Sequence, residues 1–104
     1  MISKPKKFKL FEVTGIELEY MVVDRDTLKV LPIVDKLFEE VTGGITSDVA
    51  RGDVEWSNEL VSHVVELKTA RPTKKIPSFR KKFGSEIKAI NAVLARHNAM
   101  LLPT

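Results

Sequence analysis

The fold is decided by the stretch from Gly15 to Asp24, which reads Gly-Ile-Glu-Leu-Glu-Tyr-Met-Val-Val-Asp. From Ile16 onward the residues alternate as they do along a β-strand, so two sets of side chains face opposite sides of a sheet. The first set is apolar and consists of Ile16, Leu18, Tyr20 and Val22. The second set begins with two acids and consists of Glu17, Glu19, Met21 and Val23. The β-branched and aromatic residues that favour this strand begin at Phe8, and turn residues end it after Asp24.

The rest of the chain predicts further strands and two helices. In chain order the predicted elements are a return strand over 28–31, a helix over 33–41 ended by Gly43 and Gly44, a weak strand over 45–50, extended pieces over 54–56 and 63–69, a long helix from Pro77 or Ser78, and a strand from Ala99 onward. This order predicts an α+β fold in one domain, residues 1–104, with a mostly antiparallel sheet and two helices packed on one face. The other face of such a sheet is open to water or to a ligand.

The composition fits one small globular domain. The chain has 104 residues, of which 43% are hydrophobic and 30% charged, and its formal net charge is +3. The absence of cysteine excludes a disulfide scaffold and thiolate chemistry. No apolar run is long enough to cross a membrane, and the positive N-terminus does not continue into the apolar run of a signal peptide. We therefore expect a cytoplasmic protein with no membrane partner.

Basic residues form two clusters that could bind phosphate groups, one over Lys4–Lys9 and one between Lys74 and Lys82. The alternative is that both clusters are solvated surfaces, near a terminus and in a loop. Because the net charge is modest, and the sequence has neither an aromatic RNA-binding motif nor zinc-ligand spacing, we expect no nucleic-acid partner.

Glu17 and Glu19 are two residues apart in the predicted strand and therefore project from the same face. Two carboxylates about 6–7 Å apart along a strand repel each other unless water screens them or a cation lies between them. Mg²⁺ prefers oxygen ligands and binds substrate phosphates at the same time. The pair therefore predicts either a metal site or the solvated face of a half-exposed sheet.

Glu59 and Glu66 extend this acidic set. Glu66 lies inside the strongly β-forming run 64–69 and would share the open face if Val65 and Leu67 face the helices. Strict alternation puts Glu59 on the other face, since seven is an odd spacing, unless a bulge or bend between Ser57 and His63 brings it round. The alternatives are a surface acid for Glu59 and a cross-strand lysine partner for Glu66.

Two motifs around these acids carry a resemblance. The first is Gly-Ile-Glu-Leu-Glu-Tyr at 15–20, followed by Val23 and Asp24. The second, about forty residues later, is an acid at Glu59, six residues, Glu66, two residues and Thr69. In this order they resemble the glutamate–cysteine ligase family, and most of all its bacterial carboxylate–amine ligase branch. The resemblance covers essentially the whole chain, as an N-terminal fragment.

The resemblance implies a fold similar to the catalytic domain of glutamine synthetase, whose antiparallel sheet holds ATP and metal ions. It implies a ligase of glutathione biosynthesis that joins the side-chain carboxylate of glutamate to an amine such as that of cysteine, through an acyl phosphate formed from ATP. The Mg²⁺ or Mn²⁺ ligands, direct or through water, would be Glu17, Glu19, Glu59 and Glu66. Thr69 would bring a hydroxyl close to the substrate, and no side chain is implied as a nucleophile.

Departures from the family limit this expectation. Ser62 stands where relatives often have Gln, and family members are several times longer, with further ligands and the basic phosphate-binding residues downstream. We therefore expect the isolated chain to be inactive and to bind a divalent ion weakly. The alternative from another functional class is a non-catalytic α+β interaction module that forms homo-oligomers through an exposed sheet edge.

Three other side chains have the chemistry of site residues. His97 lies on the apolar stripe of the long helix, which favours a partly buried core histidine over a ligand. His63 faces away from Glu66 in a regular strand and is left out of the site. Trp56 could stack on a ligand, but a small core usually buries its only tryptophan.

Overall fold

The computed structural model describes residues 15–71 and 76–104. Five strands and two helices follow in chain order: β1 (Glu17–Asp24), α1 (Val34–Thr42), β2 (Asp48–Arg51), β3 (Val54–Asn58), β4 (Val64–Thr69), α2 (Ile76–Leu94), a 3₁₀ turn (Ala95–His97) and β5 (Ala99–Pro103). The first part of the predicted opening strand, residues 8–14, lies outside the described residues, as do both Lys4–Lys9 and Lys74–Lys75 of the basic clusters.

The sheet is antiparallel throughout and has the strand order β2-β3-β4-β1-β5. The strand that opens the described chain therefore lies inside the sheet, between β4 and β5. Its first half pairs with β4, from Glu17 opposite Lys68 to Met21 opposite Val64. Its second half pairs with β5, from Tyr20 opposite Pro103 to Asp24 opposite Ala99. The α+β prediction is confirmed.

Both helices contribute to one apolar core on a single face of the sheet. The buried core residues of the sheet come from alternate strand positions: Val22, Val49, Val54, Trp56, Val65, Leu67, Ala99 and Leu101. The helices bury Leu37 and Phe38 of α1 and Phe79, Phe83, Ile90 and Leu94 of α2 against them. Within the described residues both helices lie on this face, and neither covers the opposite face, which carries the glutamates of β1.

The end of α1 is set by Gly43, as the sequence predicts. Gly43 has φ +83°, the left-handed conformation that glycine adopts without steric cost, and its N–H donates to the Glu39 carbonyl. Neither of the described helices is both long and apolar enough to cross a membrane.

The predicted return strand over 28–31 is reduced to one bridge, between Val23 and Val30. The Asp24 carboxylate accepts the N–H groups of Asp26 and Thr27 at 2.8 and 3.0 Å and closes a tight turn. β4 already occupies this side of β1 as far as Met21, so little of the strand is left to pair. Pro32 then follows, with no N–H to extend a ladder.

Candidate metal centre

The open face of the sheet is built from the positions that alternate with the core. Rows of side chains cross this face because each strand is in register with the next. One row contains Asp48 of β2, Ser57 of β3, Glu66 of β4 and Glu19 of β1. The next row, one pleat away, contains Ala50, Glu55, Lys68 and Glu17. Glu17, Glu19 and Glu66 therefore share the open face, as the sequence predicts.

Glu19 and Glu66 lie directly opposite each other on neighbouring strands. Backbone hydrogen bonds join Thr69 N–H to the Ile16 carbonyl and Val22 N–H to the His63 carbonyl. By alternation, the Glu19–Glu66 pair lies between these hydrogen-bonded positions, where facing side chains come closest. Like charges in this position are destabilising, so the repulsion between the two acids has to be relieved by a cation, a proton or screening by water.

Glu59 joins this pair from the connection between β3 and β4. It continues the alternation of Glu55 and Ser57, and the chain then reverses over residues 60–63 before β4 begins. The odd spacing between Glu59 and Glu66 does not separate them, because they lie on opposite sides of this reversal. The bend that the sequence analysis made the condition for Glu59 to share this face is present, over residues 60–63.

Glu19, Glu59 and Glu66 each have a carboxylate oxygen within 4.8 Å of the other two. In an octahedral Mg²⁺ shell of radius about 2.1 Å, two ligand oxygens are at most about 4.2 Å apart. Three ligands of one shell also include neighbouring oxygens about 3 Å apart, so the three carboxylates would have to move closer together to share an ion. Glu19 is exposed and the other two are half-buried, so the cluster is accessible from solvent.

The electrostatics of the cluster act most strongly on Glu66, whose side chain is only 14% exposed. Burial raises the pKa of Glu66, and the carboxylates of Glu17 and Glu59, and to a lesser extent Glu19, raise it further. The ammonium of Lys68 opposes this rise in pKa from 3.9 Å away, and it also lies 3.8 Å from Glu55. Lys68 thus neutralises part of the cluster. It lies on the same strand as Glu66 and is not the cross-strand lysine that was the alternative for Glu66.

Glu17 is the fourth predicted ligand and lies one pleat from Glu19 on the same strand face. It is not part of the close set of three, but its charge acts on Glu66.

Thr69 occupies a different environment from the glutamates. It continues the buried alternation of Val65 and Leu67 and therefore lies on the helix-covered face. Its hydroxyl oxygen accepts the Ile16 N–H at 3.2 Å. In this position it anchors the start of β1 and does not reach the glutamate face.

The remaining candidates lie away from the cluster. His97 is half-buried, and its Nε2 lies 2.8 Å from a carboxylate oxygen of Glu40, so it joins the 3₁₀ turn to α1. Trp56 is buried in the core, as expected, and its indole N–H donates to Glu86.

No protein-family model, curated protein or solved structure matches this chain.

Proposed function

We propose that this chain is the N-terminal part of an ATP-dependent carboxylate–amine ligase and that its glutamate face binds the divalent ion that holds ATP. The single observation that carries the proposal is the convergence of Glu19, Glu59 and Glu66, from three separate segments, within 4.8 Å. The two motifs that resemble the ligase family supply these three residues, and they also supply Glu17 beside them.

In this proposal Mg²⁺ or Mn²⁺, when bound, offsets the negative charge of the ATP phosphates and polarises the γ-phosphate towards an acceptor carboxylate. The residues of this chain bind and orient. Glu19, Glu59 and Glu66 would supply the ligands of the ion, and Glu17 would add its negative charge beside them. Lys68 limits the repulsion among the acids while the site is empty.

The raised pKa of Glu66 gives the site a defined pH dependence. A proton on Glu66 competes with the metal ion, because only the carboxylate form is a strong ligand. Metal affinity should therefore rise as the pH increases through the pKa of Glu66.

The proposal is tested by titrating the chain with Mn²⁺ and following free Mn²⁺ by electron paramagnetic resonance. We expect weak 1:1 binding, and Glu19→Gln, Glu59→Gln and Glu66→Gln should each weaken it by roughly tenfold or more, since loss of even an outer-shell partner costs about tenfold. Glu55→Gln is the matched control, because Glu55 lies on the same face but outside the cluster, and it should leave the affinity nearly unchanged. Equal affinities in all five proteins would refute the assignment.

A second step separates a ligase-type site from a bare cation site. If the ion is held by protein ligands on one side only, added ATP should form a ternary complex and tighten Mn²⁺ retention. ATP that simply strips Mn²⁺ from the chain would leave a cation site without the proposed nucleotide role. The isolated chain is expected to show no ligase activity, because the family's remaining ligands lie downstream in its members.

A second candidate function is a non-catalytic module that self-associates. The observation that favours it is the sheet edge, since β2 and β5 each have one strand neighbour among the described strands. Leu60, on the β3–β4 connection, is also fully exposed. Sedimentation velocity distinguishes the two functions: concentration-dependent dimers without Mn²⁺ binding favour the module.

A further inference from the structure

The described strands place one basic side chain on the open face of the sheet. They contain two basic residues, Arg51 and Lys68. Arg51 lies on the helix-covered side, where its Nε–H donates to Glu86 of α2. Lys68 lies in register between Glu55 of β3 and Glu17 of β1 and therefore shares the open face with these acids. A positive side chain among so many acids needs a physical account.

The Lys68 ammonium is close to two carboxylates but is bonded to neither. Its Nζ lies 3.8 Å from an oxygen of Glu55 and 3.9 Å from an oxygen of Glu66. Both distances exceed the length of an N–H···O hydrogen bond, about 2.7–3.2 Å, so these contacts are electrostatic. The Lys68 side chain is 33% exposed. A ligand arriving from solvent can therefore reach the ammonium without displacing a hydrogen bond to Glu55 or Glu66.

Glu66 joins this lysine to the acidic cluster. Its carboxylate lies within 4.8 Å of those of Glu19 and Glu59 and is also the one that faces Lys68. A divalent ion held by Glu66 would therefore lie next to the ammonium, with one carboxylate shared between them. The ion and the ammonium would then be two neighbouring centres of positive charge on a face that is otherwise acidic.

We propose that Lys68 binds an oxygen of a phosphate group carried by the divalent ion, an inference that rests on the proposed metal site. An anion approaching this face is repelled by its acids and attracted only where the ion and Lys68 lie. Mg²⁺ is typically held by one or two carboxylates together with substrate phosphates, and lysine binds phosphate as a point charge. A polyphosphate has oxygens on successive phosphoryl groups and can contact both centres at once.

The two positive charges give this role a signature. Without phosphate, Lys68 repels the ion and weakens its binding. With phosphate, Lys68 adds a charge-assisted hydrogen bond and strengthens the complex. A lysine that only relieved repulsion among the acids would affect the binding of the ion without affecting the retention of phosphate.

Equilibrium dialysis of labelled inorganic tripolyphosphate, with Mn²⁺ in excess, tests the proposal on the full chain. Wild type should retain tripolyphosphate only when Mn²⁺ is present. Lys68→Met keeps an unbranched side chain without the charge, and it should lower this retention by roughly tenfold, the worth of one hydrogen bond to a charged group. In the absence of phosphate, the same variant should bind Mn²⁺ more tightly, by roughly threefold.

Two further variants control for charge and for surface position. Lys68→Arg keeps the positive charge and should retain most of the tripolyphosphate. Lys36→Met removes an exposed lysine from α1, away from the open face, and should change neither the retention of phosphate nor the binding of Mn²⁺. ATP replaces tripolyphosphate in a second series, and the same dependence on Lys68 is expected because the phosphates make the contact.

The outcomes separate this inference from the proposed function. Unchanged phosphate retention by Lys68→Met, with Mn²⁺ still bound, would overturn the role of Lys68 and leave the metal site standing. Loss of both Mn²⁺ binding and phosphate retention in Lys68→Met would assign the lysine a structural role and also overturn the inference. A wild-type chain that binds no Mn²⁺ would overturn both proposals.

A measurement on wild type alone avoids any effect of the variants on folding. With Mg²⁺ bound, the Cε resonance of Lys68 should shift when tripolyphosphate is added, while that of Lys36 should stay in place. A Lys68 resonance that does not respond to tripolyphosphate would overturn the inference.

Discussion

Glu66 is the residue whose ionisation is most disfavoured by the acidic face. Its carboxylate is half-buried beside three other glutamates, and burial with these charges raises its pKa above the usual value of 4.5. A raised pKa means that the folded state holds the proton more tightly than the unfolded chain. The contribution of Glu66 to the free energy of unfolding is therefore most favourable below pH 4.5, and it is lost as the pH rises through the folded-state pKa.

This pH dependence of the free energy of unfolding predicts the effect of Glu66→Gln in the absence of metal. The amide keeps the shape and removes the charge, so we expect a higher free energy of unfolding than wild type near pH 7 and a smaller difference near pH 4. Urea unfolding at both pH values measures this. Glu39→Gln is the control, because Glu39 is exposed on α1 away from the cluster, and it should show neither effect. A Glu66→Gln protein that is less stable than wild type at pH 7 would contradict the electrostatic account.

At the scale of elements, Glu86 ties helix α2 to the edge of the sheet. One carboxylate oxygen accepts two hydrogen bonds, from the Arg51 Nε–H of β2 at 2.7 Å and from the Trp56 indole N–H of β3 at 2.8 Å. The Arg51 guanidinium also lies over the Trp56 ring, 4.9 Å from its centre. Because Trp56 is buried, its N–H has no access to water if this acceptor is removed.

We predict that Glu86→Ala lowers the free energy of unfolding by about 1–3 kcal/mol, the cost of an unsatisfied buried donor. Glu86→Gln retains an acceptor oxygen and should cost less. Tryptophan fluorescence measures this unfolding at a single site, because Trp56 is the only tryptophan in the chain. The comparison is Asp53→Ala, which removes an exposed ion pair with Lys82 and should cost at most about 1 kcal/mol. A Glu86→Ala cost no larger than that of Asp53→Ala would show that the link adds little.

At the scale of the whole molecule, the sequence predicted the features that depend on residues close together in the chain, such as strand faces and helix ends. Alternation in β1 correctly assigned its apolar side to the helices and Glu17 and Glu19 to the open face. The glycine pair correctly predicted that α1 ends at Gly43. The helical spacing of apolar residues located both helices, since an amphipathic face is visible in the sequence itself.

What the sequence did not predict depends on contacts between distant segments. The pairing of β1 with β4 and β5, instead of with residues 28–31, is set by which strands compete for its two sides. Thr69 was expected near the substrate, but the register of β4 turns it to the core side. Lys68 was not selected, although its place next to Glu66 along the same strand face could have indicated a neutralising partner.

The central claim is that the glutamate face of the sheet binds a divalent ion, and paramagnetic broadening of the amide spectrum by Mn²⁺ tests it most directly. With substoichiometric Mn²⁺ added to the full chain, the account predicts that broadening begins at the amides of Glu19, Glu59 and Glu66 and their immediate neighbours, and that it spares the amides of α2. Broadening that begins elsewhere, for example at the exposed acids Asp35 and Glu39 of α1, or that is spread evenly over the molecule, would contradict it.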